Sequence, residues 1–183
     1  MKTLMQWKVE EYHQLIQLGI FRDRRVELLE GQLIKMAPEG PTHAYLTGGI
    51  ANYLNRLLSG MALVREAHPI TLANSEPEPD IAIVKLPRGQ YRDRHPGPDD
   101  IFWLIEIAQS TLDYDLNDKK KAYAKAGIQE YWVLEINLRQ INQVHQFLKP
   151  IRGIYESEKI YRTGKIIPRA FANIEVDVNQ LWQ

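Results

Sequence analysis

The chain has 183 residues, of which 44% are hydrophobic and 25% charged, with 23 basic and 23 acidic side chains and no cysteine. This length and composition predict a single globular domain over 1–183 with a sizeable core. The formal net charge of zero argues against a protein that coats DNA by bulk charge, and the absence of cysteine excludes disulfides and thiolate metal sites.

The distribution of apolar residues indicates neither a membrane-spanning segment nor a signal peptide. No apolar run approaches the roughly 20 residues that span a bilayer. The N-terminal stretch MKTLMQWKVEEYHQL becomes acidic and polar too early for a signal peptide. We therefore expect a cytoplasmic location.

In the N-terminal half, apolar spacing and turn residues predict two helices, a hairpin and several short strands. The predicted elements are a helix at 9–18 ended by Gly19, a hairpin at 25–36 with its turn at Glu30-Gly31, a helix at 43–58 capped by Thr42, and strands at 61–66, 70–72 and 80–86.

The C-terminal half continues with a buried strand, a crossover helix and a β meander. After a polar, solvated loop at 87–100, the predicted elements are a strand at 101–108, a helix at 114–126 capped by Asp113 and ended by Gly127, strands at 130–136, 143–148 and 154–161, a turn at Gly164, and an extended piece at 174–181. This order predicts an α/β fold. The first strands of its mixed central sheet pair antiparallel, and the crossover helix joins two parallel strands.

Two acidic residues stand beside or within apolar runs in the middle of the chain. Asp80 opens the run PDIAIVKL, and Glu106 lies inside the run IFWLIEIA. A carboxylate buried on a strand is costly unless a cation compensates it. If the two strands are neighbours, their carboxylates meet and supply the oxygen ligands that Mg²⁺ prefers. We therefore predict a metal site formed by Asp80 and Glu106, with a turn at Pro79-Asp80 and a structural ion pair at Glu106 as the alternatives.

These segments resemble a known family, the Uma2 family of restriction endonuclease-like proteins, within the PD-(D/E)xK nuclease superfamily. The resemblance rests on ELLEGQLIKMAP near the start, PTHA at 41–44, EPDIAIV at 78–84, LIEIAQSTLDYDLNDKKKAYAKAGIQEYWVLEIN at 104–137 and the late Leu181-Trp182. It implies a restriction-endonuclease-like fold, in which the central sheet is flanked by helices and carries an N-terminal hairpin and a C-terminal β extension. It also implies hydrolysis of DNA phosphodiester bonds with Mg²⁺, or Mn²⁺, held by Asp80, Glu106 and the backbone carbonyl of Ile107.

The lysine of this superfamily pattern is displaced. It usually stands two residues after the acid, on the same face of the strand, and here that position is Ala108. The family resemblance implies Lys119 on the following helix instead, where Lys119, Tyr123 and Ala126 share a face by helical spacing. We predict that Lys119 activates the attacking water or stabilises charge on the reacting phosphate. A solvated lysine on the helix surface is the alternative.

Several other side chains have a structural interpretation beside a functional one. His43 is interpreted as a hydrogen-bonding group near a helix start that could also line the site, and Glu27 could approach the acids from the hairpin. Tyr123 is expected in the core or behind the acids, and Tyr131 and Trp132 in the core.

The basic cluster of the 87–100 loop also has two interpretations. It is either a solvated surface or a mobile grip on phosphate, and it consists of Arg88, Arg92, Arg94 and His95. The sequence as a whole predicts a metal-dependent endonuclease acting on DNA, with a symmetric dimer as the simplest way to cut both strands. The alternative is a nuclease-fold module that binds nucleic acid or a protein partner without cutting.

Overall fold

The computed structural model describes residues 4–137 and 142–183. The single domain predicted over 1–183 also includes 1–3 and 138–141, which lie outside the described residues. The helices are α1 (Val9–Gln17), α2 (Pro41–Leu57) and α3 (112–125), and none of those described is both long and apolar enough to cross a bilayer. The strands are β1 (Val26–Leu29), β2 (Gln32–Lys35), β3 (Leu63–Glu66), β4 (Ile81–Val84), β5 (Ile101–Ala108), β6 (Glu130–Glu135), β7 (Gln143–Ile151), β8 (Ile154–Tyr161), β9 (Lys165–Ile166) and β10 (Val176–Asp177).

Six of these strands form the central sheet, in the order β3-β4-β5-β6-β7-β8. Strands β5 and β6 pair in parallel because α3 crosses over between them, whereas the other neighbours in this sheet are antiparallel. The predicted mixed sheet, with antiparallel first strands and a parallel pair around the crossover helix, is confirmed. Strand β5 has the predicted bounds and is buried along nearly its whole length, as expected of a central strand.

Each face of the central sheet packs against its own hydrophobic core. On one face, Ile50 and Leu54 of α2 pack with Trp103 of β5, and the C-terminal segment covers the same core. On the other face, Tyr123 of α3 packs with Leu104 of β5. Because side chains alternate along a strand, β5 residues with even numbers from 104 onward face α3. Glu106 therefore points towards α3.

The N-terminal hairpin β1–β2 is attached to the edge of this architecture and packs against α1. Leu28 forms a bridge with Glu76, whose backbone N–H donates to the Leu28 carbonyl at 2.8 Å. The turn residues Glu30 and Gly31 have φ values of 48° and 76°, the left-handed conformations that a two-residue hairpin turn requires. The predicted hairpin and its turn are confirmed, and the attachment of β1 holds Glu27 against the sheet.

Two predictions in the first half of the chain are wrong in detail. Helix α2 begins at Pro41 after Gly40, so Thr42 is not its N-cap; the fixed φ and missing N–H of proline suit the first helical position. Residues 70–72 do not form a strand. Ile70 and Leu72 are buried, but their backbone N–H groups donate to carbonyls within 75–77 rather than to a strand. The apolar alternation there reflects burial alone.

Helix α3 differs from the predicted uniform α-helix. It begins at Leu112, so Asp113 lies inside it and is not its cap. The residues Asp115–Lys119 then form a π turn, in which the Lys120 N–H bonds to the carbonyl of Asp115, five residues back. The rest, Lys120–Lys125, is α-helical and ends before a glycine in the left-handed conformation, as predicted.

Two segments predicted as loop or extended chain contain 3₁₀ turns. The loop at 87–100 includes Arg88–Tyr91, whose last residue is buried, and Pro98–Asp100, so it is not simply solvated. Within 174–181, β10 is followed by the 3₁₀ turn Val178–Trp182, which packs into the α2-side core.

Candidate active site

The two acids singled out from the sequence lie opposite each other, with Asp80 directly before β4 and Glu106 within the neighbouring strand β5. In the antiparallel pair β4–β5, Ile81 faces Ile105, so the next step of the register places Asp80 opposite Glu106. Both side chains stand on the α3 face of the sheet, since both continue its even-numbered positions. The structure thus brings Asp80 and Glu106 together in the lining of one cleft, whose cavity has a volume of about 390 Å³.

Asp80 is held through one of its two carboxylate oxygens. Its Oδ2 accepts a hydrogen bond from the Ile107 backbone N–H at 2.7 Å and contacts His43 Nε2 at 3.0 Å. The other ring nitrogen of His43 lies 2.9 Å from a Glu39 carboxylate oxygen. The hydrogen bond to Asp80 raises the pKa of His43 to about 9 against the opposing effect of burial, so the imidazole is protonated at neutral pH. His43 thus makes hydrogen bonds near the start of α2, as interpreted from the sequence, and it also lines the cleft.

Glu106 is buried, with 2% of its surface exposed, and is likewise held through one oxygen. The Tyr123 hydroxyl donates to Oε1 at 2.8 Å, and the Lys119 amine lies 2.9 Å from the same oxygen. Burial raises the pKa of Glu106 well above its ordinary value; Lys119 acts in the opposite direction, and the neighbouring Asp80 adds to the rise. Tyr123 is therefore both a core residue and a partner of the acid.

The hydrogen bonds and ion pairs within the described chain leave one oxygen of each acid without a protein partner. The partners of Asp80 all contact its Oδ2, and the partners of Glu106 all contact its Oε1. Oδ1 and Oε2 are the oxygens that remain for a cation or a water. Two carboxylates that each keep one oxygen in this way are rigidly oriented and still able to act as ligands.

Lys119 is brought into the cleft by the π turn of α3. The lysine is only 5% exposed, and its Nζ lies 3.9 Å from Glu27 and 4.0 Å from Asp115, in addition to Glu106. Burial alone would lower the pKa of Lys119, but the surrounding carboxylates outweigh it and raise the pKa, so the amine stays charged. Single π turns inside α-helices are rare and occur frequently at functional sites. The solvated-surface alternative for Lys119 does not describe this environment.

The hairpin contributes a third acid to the cleft. Glu27 is 1% exposed; its Oε1 accepts from the Tyr114 hydroxyl at 2.9 Å and its Oε2 from the Glu78 backbone N–H at 3.1 Å. The sequence suggested that Glu27 could approach the other acids from the hairpin, and Glu27 does line the same cleft. Its signal is the single acid in the otherwise apolar strand VELL.

Asp115 is a site residue that the sequence analysis missed. It lies in the π turn, accepts a hydrogen bond from the Thr111 hydroxyl at 2.6 Å, and is 3% exposed. Burial raises the pKa of Asp115 to about 6, with Lys119 opposing that rise. The available signal was its spacing of four residues from Lys119, at which helix side chains meet.

The cleft carries more negative than positive charge. The acidic residues that line it are Glu27, Glu39, Glu78, Asp80, Glu106 and Asp115, and the basic ones are Arg25, Lys35, Lys119 and protonated His43. Carboxylate oxygens are the ligands that Mg²⁺ prefers, and this ion keeps several waters, so a site with few protein ligands suits it. The described residues hold no group of three or more acidic, histidine or cysteine side chains arranged around one metal position. The two carboxylate oxygens that have no protein partner are of the chemical type that a hydrated divalent cation takes as ligands.

The basic loop cluster does not line this cleft. Arg92, Arg94 and His95 line a neighbouring cavity, and Arg94 is paired with Asp100. Tyr131 and Trp132 are fully buried in the core, as expected.

Comparison with known proteins points to nucleases. The family model named Uma2, described as "Putative restriction endonuclease", matches residues 9–179. The chain is also similar to the crystal structure of "a putative nuclease belonging to DUF820" from Anabaena variabilis, with a TM-score of 0.66 and 16% identity over 87% of this chain and 90% of that one. At that identity the likeness shows a shared fold. No curated protein matches the chain.

Proposed function

Because the chain belongs to the Uma2 family, we propose that it is an endonuclease that hydrolyses DNA phosphodiester bonds with the help of a divalent cation, Mg²⁺ or Mn²⁺. The observation that supports this most is the pairing of Asp80 and Glu106 across β4 and β5, with the Lys119 amine 2.9 Å from Glu106. A pair of acids beside a charged lysine in a cleft is a suitable arrangement for phosphodiester hydrolysis.

In this proposal Asp80 and Glu106 hold the cation through the oxygens that make no protein contact, together with the backbone carbonyl of Ile107. When bound, Mg²⁺ stabilises negative charge on phosphate oxygens and lowers the pKa of a water molecule. Ile107 also orients Asp80, since its N–H donates to Oδ2. The backbone of β5 therefore fixes the acid on the neighbouring strand.

Lys119 supplies a positioned positive charge. One of its three N–H donors is directed at Glu106, and the others can donate to the attacking water or to a non-bridging phosphate oxygen. Because the amine is buried, its interaction with a developing negative charge is screened less than it would be at the surface. Glu27 and Asp115 keep this amine charged and hold it near the reacting group.

Cleavage of supercoiled plasmid DNA tests the proposal. The wild-type protein should nick or linearise the plasmid with Mg²⁺ and fail to do so with EDTA. Glu106→Gln should be inactive under both conditions while remaining folded, because the Lys119 amine keeps Glu27 and Asp115 as acidic neighbours, and thermal melting checks the fold. Equal cleavage by Glu106→Gln and wild type would refute the site.

The same experiment addresses the alternative of a nuclease-fold module without activity. The displaced lysine and the neutral net charge favour that alternative. A wild-type protein that binds duplex DNA in the presence of Mg²⁺ or Mn²⁺ but leaves it intact would establish it. Whether the active form is a symmetric dimer stays a prediction, testable by light scattering.

A further inference from the structure

A second cavity, of about 740 Å³, lies next to the cleft. Adjacent residues of the chain segment that follows β3 line the two cavities. Ala67 lines the cleft and His68 lines the second cavity. The second cavity is rich in basic side chains, with Arg65, Arg92 and Arg94 on its wall.

Arg65 is the unusual residue of this wall, because no acid among residues 4–137 and 142–183 forms an ion pair with it. Its guanidinium lies 5.6 Å from the centre of the Tyr91 ring, and the guanidinium of Arg94 lies 5.3 Å from the same ring. The Nε of Arg65 is buried and has no hydrogen-bond partner in the described chain. Its pKa is lowered by burial and by repulsion from Arg88, with no carboxylate among the groups that shift it.

Two neighbouring basic side chains, Arg94 and His13, differ from Arg65 in having acidic partners. Arg94 is paired with Asp100, and His13 lies 2.7 Å from a Glu76 oxygen. A half-buried cation without a partner is unfavourable for folding alone. A guanidinium presents several N–H donors in a planar fork that matches the oxygens of a phosphate. Arg65 is thus positioned for an anion that the protein does not itself supply.

The strand register relates this anion position to the paired acids. In β3–β4, Arg65 pairs with Ala82, which follows Asp80 by two residues in the chain. Arg65 and Asp80 therefore stand on one face of the sheet as diagonal neighbours, a relation that separates two residues by about 7–8 Å in antiparallel sheets, with their Cβ atoms somewhat closer. A nucleic-acid backbone that enters the cleft can pass over Ala67 and present a further phosphate to Arg65.

We propose that the cavity around Arg65 is a phosphate-binding site, occupied by a backbone phosphate of the DNA near the one that is cleaved. The assignment of this phosphate to DNA rests on the proposed function, whereas the site itself rests on Arg65 and its surroundings. Arg92, which is exposed at the rim of the cavity, provides a second contact to the same group.

Binding measurements in EDTA test this site separately from cleavage. Inorganic phosphate is titrated by calorimetry, and a fluorescent DNA duplex by anisotropy at several salt concentrations, with wild type, Arg65→Gln, Arg92→Gln and Arg162→Gln. The last is a matched control, since Arg162 is exposed and follows β8 at the opposite edge of the sheet from β3. Thermal melting checks that each variant is folded. If Arg65→Gln does not fold, Arg92→Gln still tests the site.

Arg65→Gln should lower the affinity for phosphate and for the duplex by about tenfold, the usual effect of losing a hydrogen bond to a charged group. It should also reduce the salt dependence of duplex binding by about one phosphate contact. Arg92→Gln should act in the same direction and Arg162→Gln should not.

Unchanged affinity for both ligands in Arg65→Gln and Arg92→Gln would overturn the site. Loss of phosphate binding alone would contradict the DNA assignment and point to a free phosphorylated ligand. A wild type that binds DNA through Arg65 but does not cut it would refute the proposed function and leave the phosphate site standing.

Discussion

Among single residues, Lys119 is the one whose role is most sharply defined by its surroundings. Its amine is buried among carboxylates, and the nearest of them, Glu106, is 2.9 Å away. A buried ion pair contributes little to stability compared with well-packed apolar side chains, so its presence here is not explained by folding alone. The lysine is therefore best understood through the charge that it brings to the cleft.

Replacement of Lys119 by methionine should lower the rate of DNA cleavage by about 10²-fold or more, the scale of losing one positioned electrostatic group. Metal binding should persist, because Asp80 and Glu106 remain. Single-turnover cleavage with saturating Mg²⁺ measures the effect. Lys121→Met is the matched control, since Lys121 is exposed on the same helix and should retain the parent rate. Normal cleavage by Lys119→Met would remove the lysine from the mechanism.

The pair formed by His43 and Asp80 should make stability depend on pH. The pKa of His43 is raised from 6.5 to about 9 in the folded protein, mainly by the hydrogen bond to Asp80. The resulting stabilisation is fully present below the ordinary pKa of histidine and is lost as the pH rises through about 9. Its upper limit is about 3 kcal/mol, from about 1.4 kcal/mol for each pKa unit.

Urea denaturation of wild type and His43→Gln at pH 6.5 and pH 9.5 checks this. The difference in free energy of unfolding between the two proteins should be clearly larger at pH 6.5. A difference of equal size at both pH values would show that the protonated imidazole does not stabilise the fold through Asp80.

At the level of secondary-structure elements, strand β5 and the π turn of α3 mark the two extremes of what the sequence could predict. The bounds of β5 follow from an apolar run between polar segments, broken only by Glu106. The π turn leaves no such pattern, because an inserted residue changes backbone hydrogen bonding without changing which residue types are present. Asp115 was missed for this reason. Its burial depends on the turn, whereas helical spacing alone does not say which face is buried.

Removal of one residue from the π turn should disrupt the site while preserving the helix. Deletion of the exposed residue Asn117 should restore regular α-helical bonding and rotate the start of α3 by about 100° relative to Tyr123. Asp115 should then leave the cleft. Circular dichroism should show unchanged helix content, and cleavage should fall at least tenfold. Full activity after the deletion would show that the π turn does not position the site.

For the whole molecule, the sequence predicted which segments form the cleft but not how several of their side chains are oriented. Asp80 and Glu106 could be paired from strand order alone, because neighbouring antiparallel strands leave few registers. His43 and Glu27 come from α2 and the hairpin, whose packing against the sheet is set by long-range contacts such as the Leu28–Glu76 bridge. The phosphate position at Arg65 depends on the register of β3 with β4, and pattern analysis did not identify it.

Binding of a divalent cation should stabilise the whole fold by mass action, since the paired carboxylates exist only in the folded state. At a concentration one hundred times its dissociation constant, Mg²⁺ should add about 2.7 kcal/mol to the free energy of unfolding. Thermal melting with increasing Mg²⁺ or Mn²⁺ measures this effect. Asp80→Asn and Glu106→Gln should each remove most of it, and the double variant should lose little more, because the two ligands act as a unit. Fully additive losses would show that the two acids do not bind the same cation.

The most direct measurement of the central claim is the position of Mn²⁺ in crystals soaked with this ion, located by its anomalous scattering. We expect a peak between β4 and β5, within about 2.2 Å of one oxygen of Asp80 and one of Glu106, close to the ligand distances of the smaller Mg²⁺. The peak should be missing from crystals of Glu106→Gln that diffract equally well. A Mn²⁺ site elsewhere on the protein, with the cleft between Asp80 and Glu106 empty, would contradict the assignment of these two acids as metal ligands.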